Sequence, residues 1–305
     1  MAKTKTTYIR YSAIAPNNKA ARTVSSKKTS TGFSLSKVLT FLVVFALFFG
    51  IFGAAIKVRA SDRAASLAVA EHSLKQKQQL NKELQAVMQA NPDITFSIST
   101  TNLNSGYSQT FGNDLPMNAA SVGKLFTAIL FMHEVETGQQ SLSENIAGQN
   151  AKVVLKQLIN QSDDGIWLTL NDRLSHQALT NYAQNLGLSS YNSSTNTVSS
   201  QDVATLLQKL YQDKLLSVQH TNTLLSYMQN TNYEQFISPA VPSGVSIYHK
   251  VGLINDNVND AAIITKGDRS CVLVIFSDGH GTQDWDMRAA TMQQMARDVI
   301  STYFN

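Results

Sequence analysis

The chain has 305 residues, 43% hydrophobic and 15% charged, with a net charge of +4, which is enough apolar material for a full-sized core. The charge is unevenly placed. Residues 1–37 hold eight Lys or Arg and no Asp or Glu, and 38–305 hold 17 basic against 21 acidic residues, so the remainder is mildly acidic and argues against nucleic acid as a partner.

In chain order, residues 1–37 are rich in Ser, Thr, Lys and Asn and read as a disordered, basic cytoplasmic tail. Residues 38–56, VLTFLVVFALFFGIFGAAI, carry no charge. At ~1.5 Å per residue they span roughly 28 Å, close to a bilayer core, and are expected to form a single transmembrane helix. A short basic flank stays in the cytoplasm, so the rest of the chain is expected outside it. The length of the tail favours an uncleaved anchor over a cleaved signal peptide, although Lys57, Arg59 and Arg63 weaken the charge asymmetry. The basic run itself reads as a solvated topogenic signal rather than a lipid-binding site.

Residues 57–74 read as a helical stalk and 75–305 as the main domain. Good helix formers fill 64–90, and Asn91-Pro92 stops them. ITFSIST alternates as a strand, LNSG turns, and YSQTFG is a second strand. A helix is expected over 121–137, closed by Gly138. Further helices are expected near 151–160, 164–171, 176–186, 199–212 and 217–229, with Ser199 and Asp202 as a start signal for the fourth. Strands follow at 245–252, 261–266 and 271–276, then a closing helix to Phe304. Strands near both ends with helices between them predict an α/β (α+β) fold. It has one antiparallel sheet of about five strands, terminal helices flanking it and an all-helical subdomain.

Several residues invite chemistry and receive a plainer reading. The single cysteine, Cys271, sits in the apolar run CVLVIF and reads as a small buried hydrophobe. His133-Glu134 lacks the second histidine of a zinc helix motif, and the six histidines are scattered, so no metal or cofactor is expected. SDGHG at 277–281 reads as a turn, and Trp167 as core rather than a substrate stacker.

The stretch NAASVGKLFTAILF carries the sharpest question. A serine hydroxyl is a weak nucleophile and needs a base. Lys124 lies three residues after Ser121, on the same helix face, and can serve as that base if burial lowers its pKa. The Ser121 N–H, at the helix start, is free to donate to a developing oxyanion. A capping serine beside a snorkelling lysine has the same spacing, and Ser25/Lys28 and Ser34/Lys37 repeat it in the tail.

Two later stretches change the weight: Ser162-Asp163-Asp164 between two helices, and Lys250-Val251-Gly252 on a strand before a turn. In order and spacing, SVGK, SDD and KVG resemble the Ser-x-x-Lys, Ser-Asp-Asn and Lys-Thr-Gly set of class A β-lactamases and penicillin-binding proteins. The resemblance covers roughly residues 75–303 and takes in FSISTTNLNSG, LINQSDDGIWLTL, VSSQDVATLLQKL and NDNVNDAAII. It implies that Ser121 is the acylated nucleophile, Lys124 its base or proton relay, and Ser162 the donor to the leaving nitrogen. Lys250 would supply positive charge that lowers the Lys124 pKa and attracts an anionic substrate. The N–H groups of Ser121 and Leu253, beside Gly252, would form the oxyanion hole, with Asp164 where the family holds a substrate amide with Asn.

Three departures bear on activity. Asp164 has lost the amide's donor, Val251 has no hydroxyl for a substrate carboxylate, and 187–199 contains no Asp or Glu to activate a deacylating water. The resemblance therefore implies an acyl-enzyme with β-lactams or peptidoglycan-derived amides and esters that is slow to clear. D-alanyl-D-alanine peptidase-like or esterase activity, and a catalytically silent cell-wall binding domain, are the alternatives. The sequence does not indicate an oligomeric state.

Overall fold

The computed structural model describes residues 35–304, in two units that divide between Ser66 and Leu67. Helix α1 runs Leu35–Gln89. The expected tail lies outside the described residues up to position 34. Among the described residues no helix is long and apolar enough to cross a membrane. The expected anchor at 38–56 includes side chains, at 38 and 49–56, that lie outside the described set.

The second unit is built on a five-stranded sheet. β1 (Thr95–Asn102) and β2 (Ser108–Gly112) form a hairpin, and β7 (Ser246–Ile254), β8 (Asn257–Lys266) and β9 (Arg269–Asp278) form a meander. The order is β2-β1-β9-β8-β7, antiparallel throughout, with Ser97 opposite Phe276 and Lys250 opposite Ala261. Between the two groups of strands lie β3 (Met117–Asn118), the β4/β5 hairpin (Asn145–Ile146, Gln149–Asn150) and β6 (Thr197–Val198). The helices there are α2 (Lys124–Glu136), α3 (Ala151–Lys156), α4 (Asp164–Leu174), α5 (His176–Asn185), α6 (Ser200–Tyr211) and α7 (Val218–Tyr227). α8 (Trp285–Phe304) closes the chain. This is the expected architecture.

The sheet separates two cores. One face meets Leu80 and Leu84 of α1 and Met292, Met295 and Val299 of α8. The other covers α2, whose residues from Leu125 to Met132 are all buried. A helix that is apolar on every side has to sit at the centre of its domain. Local rules hold at the boundaries: Asn150, Asp163, Ser175, Ser199 and Ser217 each accept a backbone N–H as N-caps. Gly138 ends α2 at φ +77°, where only glycine is unstrained. Cys271 is fully buried, and burial raises its thiol pKa.

Candidate active site

Ser121 does not begin an α-helix, as the spacing suggested. It lies in a 3₁₀ turn, Ala120–Gly123, and α2 starts at Lys124. The reason is the backbone before it. Ala120 is left-handed, at φ +46°, and its N–H donates to Asn118 Oδ1 at 2.8 Å. Its carbonyl accepts from Asn196 Nδ2 at 2.9 Å. The tighter turn serves the pairing, because residues i and i+3 eclipse in a 3₁₀ helix. Lys124 Nζ lies 2.7 Å from Ser121 Oγ.

The Ser-Asp-Asp segment arrives from the other subdomain. The chain widens into a π turn at Gln157–Gln161 and then breaks at Ser162, which is left-handed at φ +60°. Asp163 caps α4 through Ile166 N at 2.9 Å. This presents the Ser162 carbonyl to Lys124 Nζ at 2.7 Å and the Ser162 hydroxyl at 3.3 Å. Asp164 Oδ1 accepts from the same Nζ at 2.5 Å, while its side chain is 80% exposed. Trp167 is half-buried, donates Nε1 to Thr127 Oγ1 at 3.0 Å and lies with its ring 5.4 Å from Lys124 Nζ, so it packs the site from within.

Lys250 reaches in from edge strand β7. Its Nζ donates to Ser162 Oγ at 2.8 Å and to the Val251 carbonyl at 2.7 Å. Ser162 Oγ therefore stands between two amines. Val251 turns into the core and offers the site nothing polar. Gly252 runs so close to the nucleophile turn that a Cβ would meet Ala119 O at 2.7 Å and Ser121 N at 3.0 Å. That approach brings Gly252, one residue before Leu253, beside the Ser121 N–H.

Both lysines are buried and both pKa values are lowered. For Lys124 the cause is burial, opposed by the hydrogen bond and charge of Asp164. For Lys250 burial acts first and repulsion from Lys124 second, and together they push it to about 7. Burial is thus the main cause for both, in place of the expected lowering of Lys124 by Lys250. A neutral Lys124 fits its neighbours well. It has two N–H groups for the Ser162 carbonyl and Asp164, and one lone pair for the Ser121 hydroxyl proton.

The loop between α5 and α6 carries no acid at the site. Asp202 is occupied elsewhere, accepting from Ser190 N at 2.8 Å and Ser190 Oγ at 2.6 Å, while Ser199 caps α6. The loop contributes Asn196 instead, whose carbonyl also accepts from Ala119 N at 2.8 Å. Asn118, Asn196 and Asn259, which donates to the Asn118 carbonyl at 2.8 Å, had no sequence signal. Nor had His249, one residue before Lys250. It is fully buried, with Nδ1 3.1 Å from Asp260 Oδ1 and Nε2 3.2 Å from Glu234 Oε2, although the Nε2 contact is not aligned as a hydrogen bond. Burial alone would lower the His249 pKa, and the two carboxylates outweigh it and raise it to about 10.

Residues 79–303 match the family model described as the beta-lactamase enzyme family. Among solved structures, PBP-A matches with a TM-score of 0.67 at 25% identity, over 73% of this chain and 94% of that one. A β-lactamase from Sphaerobacter thermophilus DSM 20745 matches with a TM-score of 0.67 at 17% identity, covering 74% and 97% of the two chains. An ancestral class A β-lactamase (GNCA) matches with a TM-score of 0.69 at 17% identity, covering 74% and 100%. A point mutant of PBP-A, 24% identical with a TM-score of 0.67 over 73% and 96% of the chains, was solved as an acyl-enzyme complex with penicillin G. No curated protein matches the chain.

Proposed function

The chain belongs to the beta-lactamase enzyme family, and on that basis we propose that it is a serine hydrolase acylated on Ser121 by β-lactams or related cell-wall amides and esters. The observation that carries the reading is the placement of Ser162 Oγ between Lys250 Nζ, at 2.8 Å, and Lys124 Nζ, at 3.3 Å, with Ser121 Oγ on the far side of Lys124 at 2.7 Å. A capping serine with a snorkelling lysine has no use for that chain of groups.

The proton follows it. Lys124 takes the Ser121 proton as Oγ bonds to the carbonyl carbon, and the N–H groups of Ser121 and Leu253 receive the oxyanion. As the C–N bond breaks, Ser162 gives its proton to the leaving nitrogen and recovers one from Lys124. The net result is an ester on Ser121, a protonated leaving nitrogen and a neutral Lys124. Lys250 holds Ser162 in line through its 2.8 Å hydrogen bond.

Deacylation needs a base to activate water, and residues 186–199 provide none. A persistent acyl-enzyme is therefore expected. Penicillin G forms an acyl-enzyme with the PBP-A mutant of the same fold, which supports a penicillin as the first probe.

The experiment is intact-mass analysis of the full-length protein incubated with a fluorescent penicillin, beside Ser121→Ala and Lys124→Ala. The expected result is an adduct that persists in the wild type and is absent from both variants. An adduct retained in Ser121→Ala, or none in the wild type, sinks the reading.

We further propose that the domain lies outside the cytoplasm, held by an anchor at 38–56. The uncharged sequence of that segment and the basic flank before it support this, as do the large apolar side chains described between 39 and 48, which are exposed. Recovery of the protein in the soluble fraction of disrupted cells would overturn the placement.

A further inference from the structure

The charges of the site are layered. Both lysine amines are interior, with Lys124 0% and Lys250 2% exposed, and both are occupied by protein acceptors. The charge that an arriving substrate meets is Asp164, whose side chain is 80% exposed. Its Oδ1 accepts from Lys124, and its Oδ2 has no partner among the described residues. Lys124 Nζ also touches Ser121 Oγ, so the carboxylate stands two hydrogen bonds from the nucleophile. A group flanking a carbonyl on Ser121 is within reach of it. On the strand side, Val251 is turned into the core and offers no hydroxyl to a substrate anion.

We propose that Asp164 makes the site selective for acyl substrates carrying an ammonium on the side chain that flanks the scissile carbonyl, and biased against those carrying a carboxylate there. The proposal rests on the acyl-serine reading above. A carboxylate only accepts, whereas an amide at the same position would accept and donate. An ammonium gains a charge-assisted hydrogen bond with Oδ2, and a substrate carboxylate is repelled. The binding also assists the chemistry. The Asp164 hydrogen bond works to keep Lys124 protonated, so a substrate cation that shares the carboxylate favours the neutral amine that accepts the Ser121 proton.

The test uses three penicillins with one scaffold. Aminobenzylpenicillin carries an ammonium on the carbon next to its side-chain carbonyl, carboxybenzylpenicillin a carboxylate there, and benzylpenicillin neither. The rate of adduct formation on the full-length protein is followed by intact mass at low ionic strength, at one pH where the amine is protonated. The ammonium compound is expected to acylate about tenfold faster than the carboxylate compound, with the neutral one between. The gap should narrow at high salt, because an exposed charge is screened. Asp164→Asn should remove the order. If that variant does not fold, the salt dependence in the wild type decides alone. Equal rates in the wild type, an order that ignores salt, or the same order in Asp164→Asn would overturn the specificity while leaving the acyl-serine reading intact. No adduct with any of the three would overturn both.

Discussion

Asn196 Nδ2 donates to the Ala120 carbonyl at 2.9 Å, so the loop between α5 and α6 holds in place the residue just before the nucleophile. A left-handed alanine costs about 1–2 kcal/mol, which something must offset. Here Asn118 takes its N–H, Asn196 takes its carbonyl, and Asn259 secures Asn118 in turn.

Asn196→Ala should lower stability by about 1–2 kcal/mol and slow acylation. Glycine tolerates φ +46°, so Ala120→Gly should recover much of the stability in the double variant. Denaturant melts of the two single variants and the double variant form a cycle. Strictly additive losses would show that the asparagine does not hold the strained residue.

Gly252→Ala should slow acylation by at least about a hundredfold, the scale of losing one oxyanion donor. The new methyl would press on Ala119 O and Ser121 N, and neither backbone atom can give way without moving the nucleophile turn or β7. Adduct kinetics by intact mass check it, and a wild-type rate would mean that the strand and the turn separate without cost.

Lys250→Met should stabilise the fold while removing most of the acylation. A buried ammonium costs desolvation that an apolar side chain of similar length does not. Because the Lys250 pKa lies near 7, well under its unfolded value, its cost is present at neutral pH and relieved as pH rises toward 10. A gain of about 1 kcal/mol, or roughly 2–4 °C in Tm, is expected at pH 7 and should shrink with rising pH. A fall in Tm at pH 7 would show that the lysine supports the fold.

His249→Gln should destabilise in the opposite pH sense. The His249 pKa rises on folding from 6.5 to about 10, so its contribution is full below pH 6.5 and is lost as pH climbs through 10. The stability difference between wild type and variant should be largest near pH 6 and narrow steadily toward pH 10. Lysines 124 and 250 change the absolute curves in that window, which is why the difference is the quantity to measure. A gap that stays constant with pH would mean that His249 is held as the neutral ring.

What the sequence determined by itself is local or ordered along the chain. Alternation marked ITFSIST as a strand, a short apolar run marked CVLVIF as another, and Ser199 marked the start of α6, because these depend on neighbours within a few residues. The order SVGK, SDD, KVG named the groups that meet at the site, and the missing acid in 187–199 was visible as a missing letter. The tertiary structure alone decided how those groups are held. The left-handed Ala120, and with it the 3₁₀ turn that lines Ser121 up with Lys124, depends on an asparagine 76 residues away and on another 141 residues from Asn118. The setting of the His249 ring, beside Lys250, depends on carboxylates from a loop and from a neighbouring strand. No periodicity records such contacts, because an asparagine or histidine side chain acquires its role from the hydrogen bonds that packing brings to it.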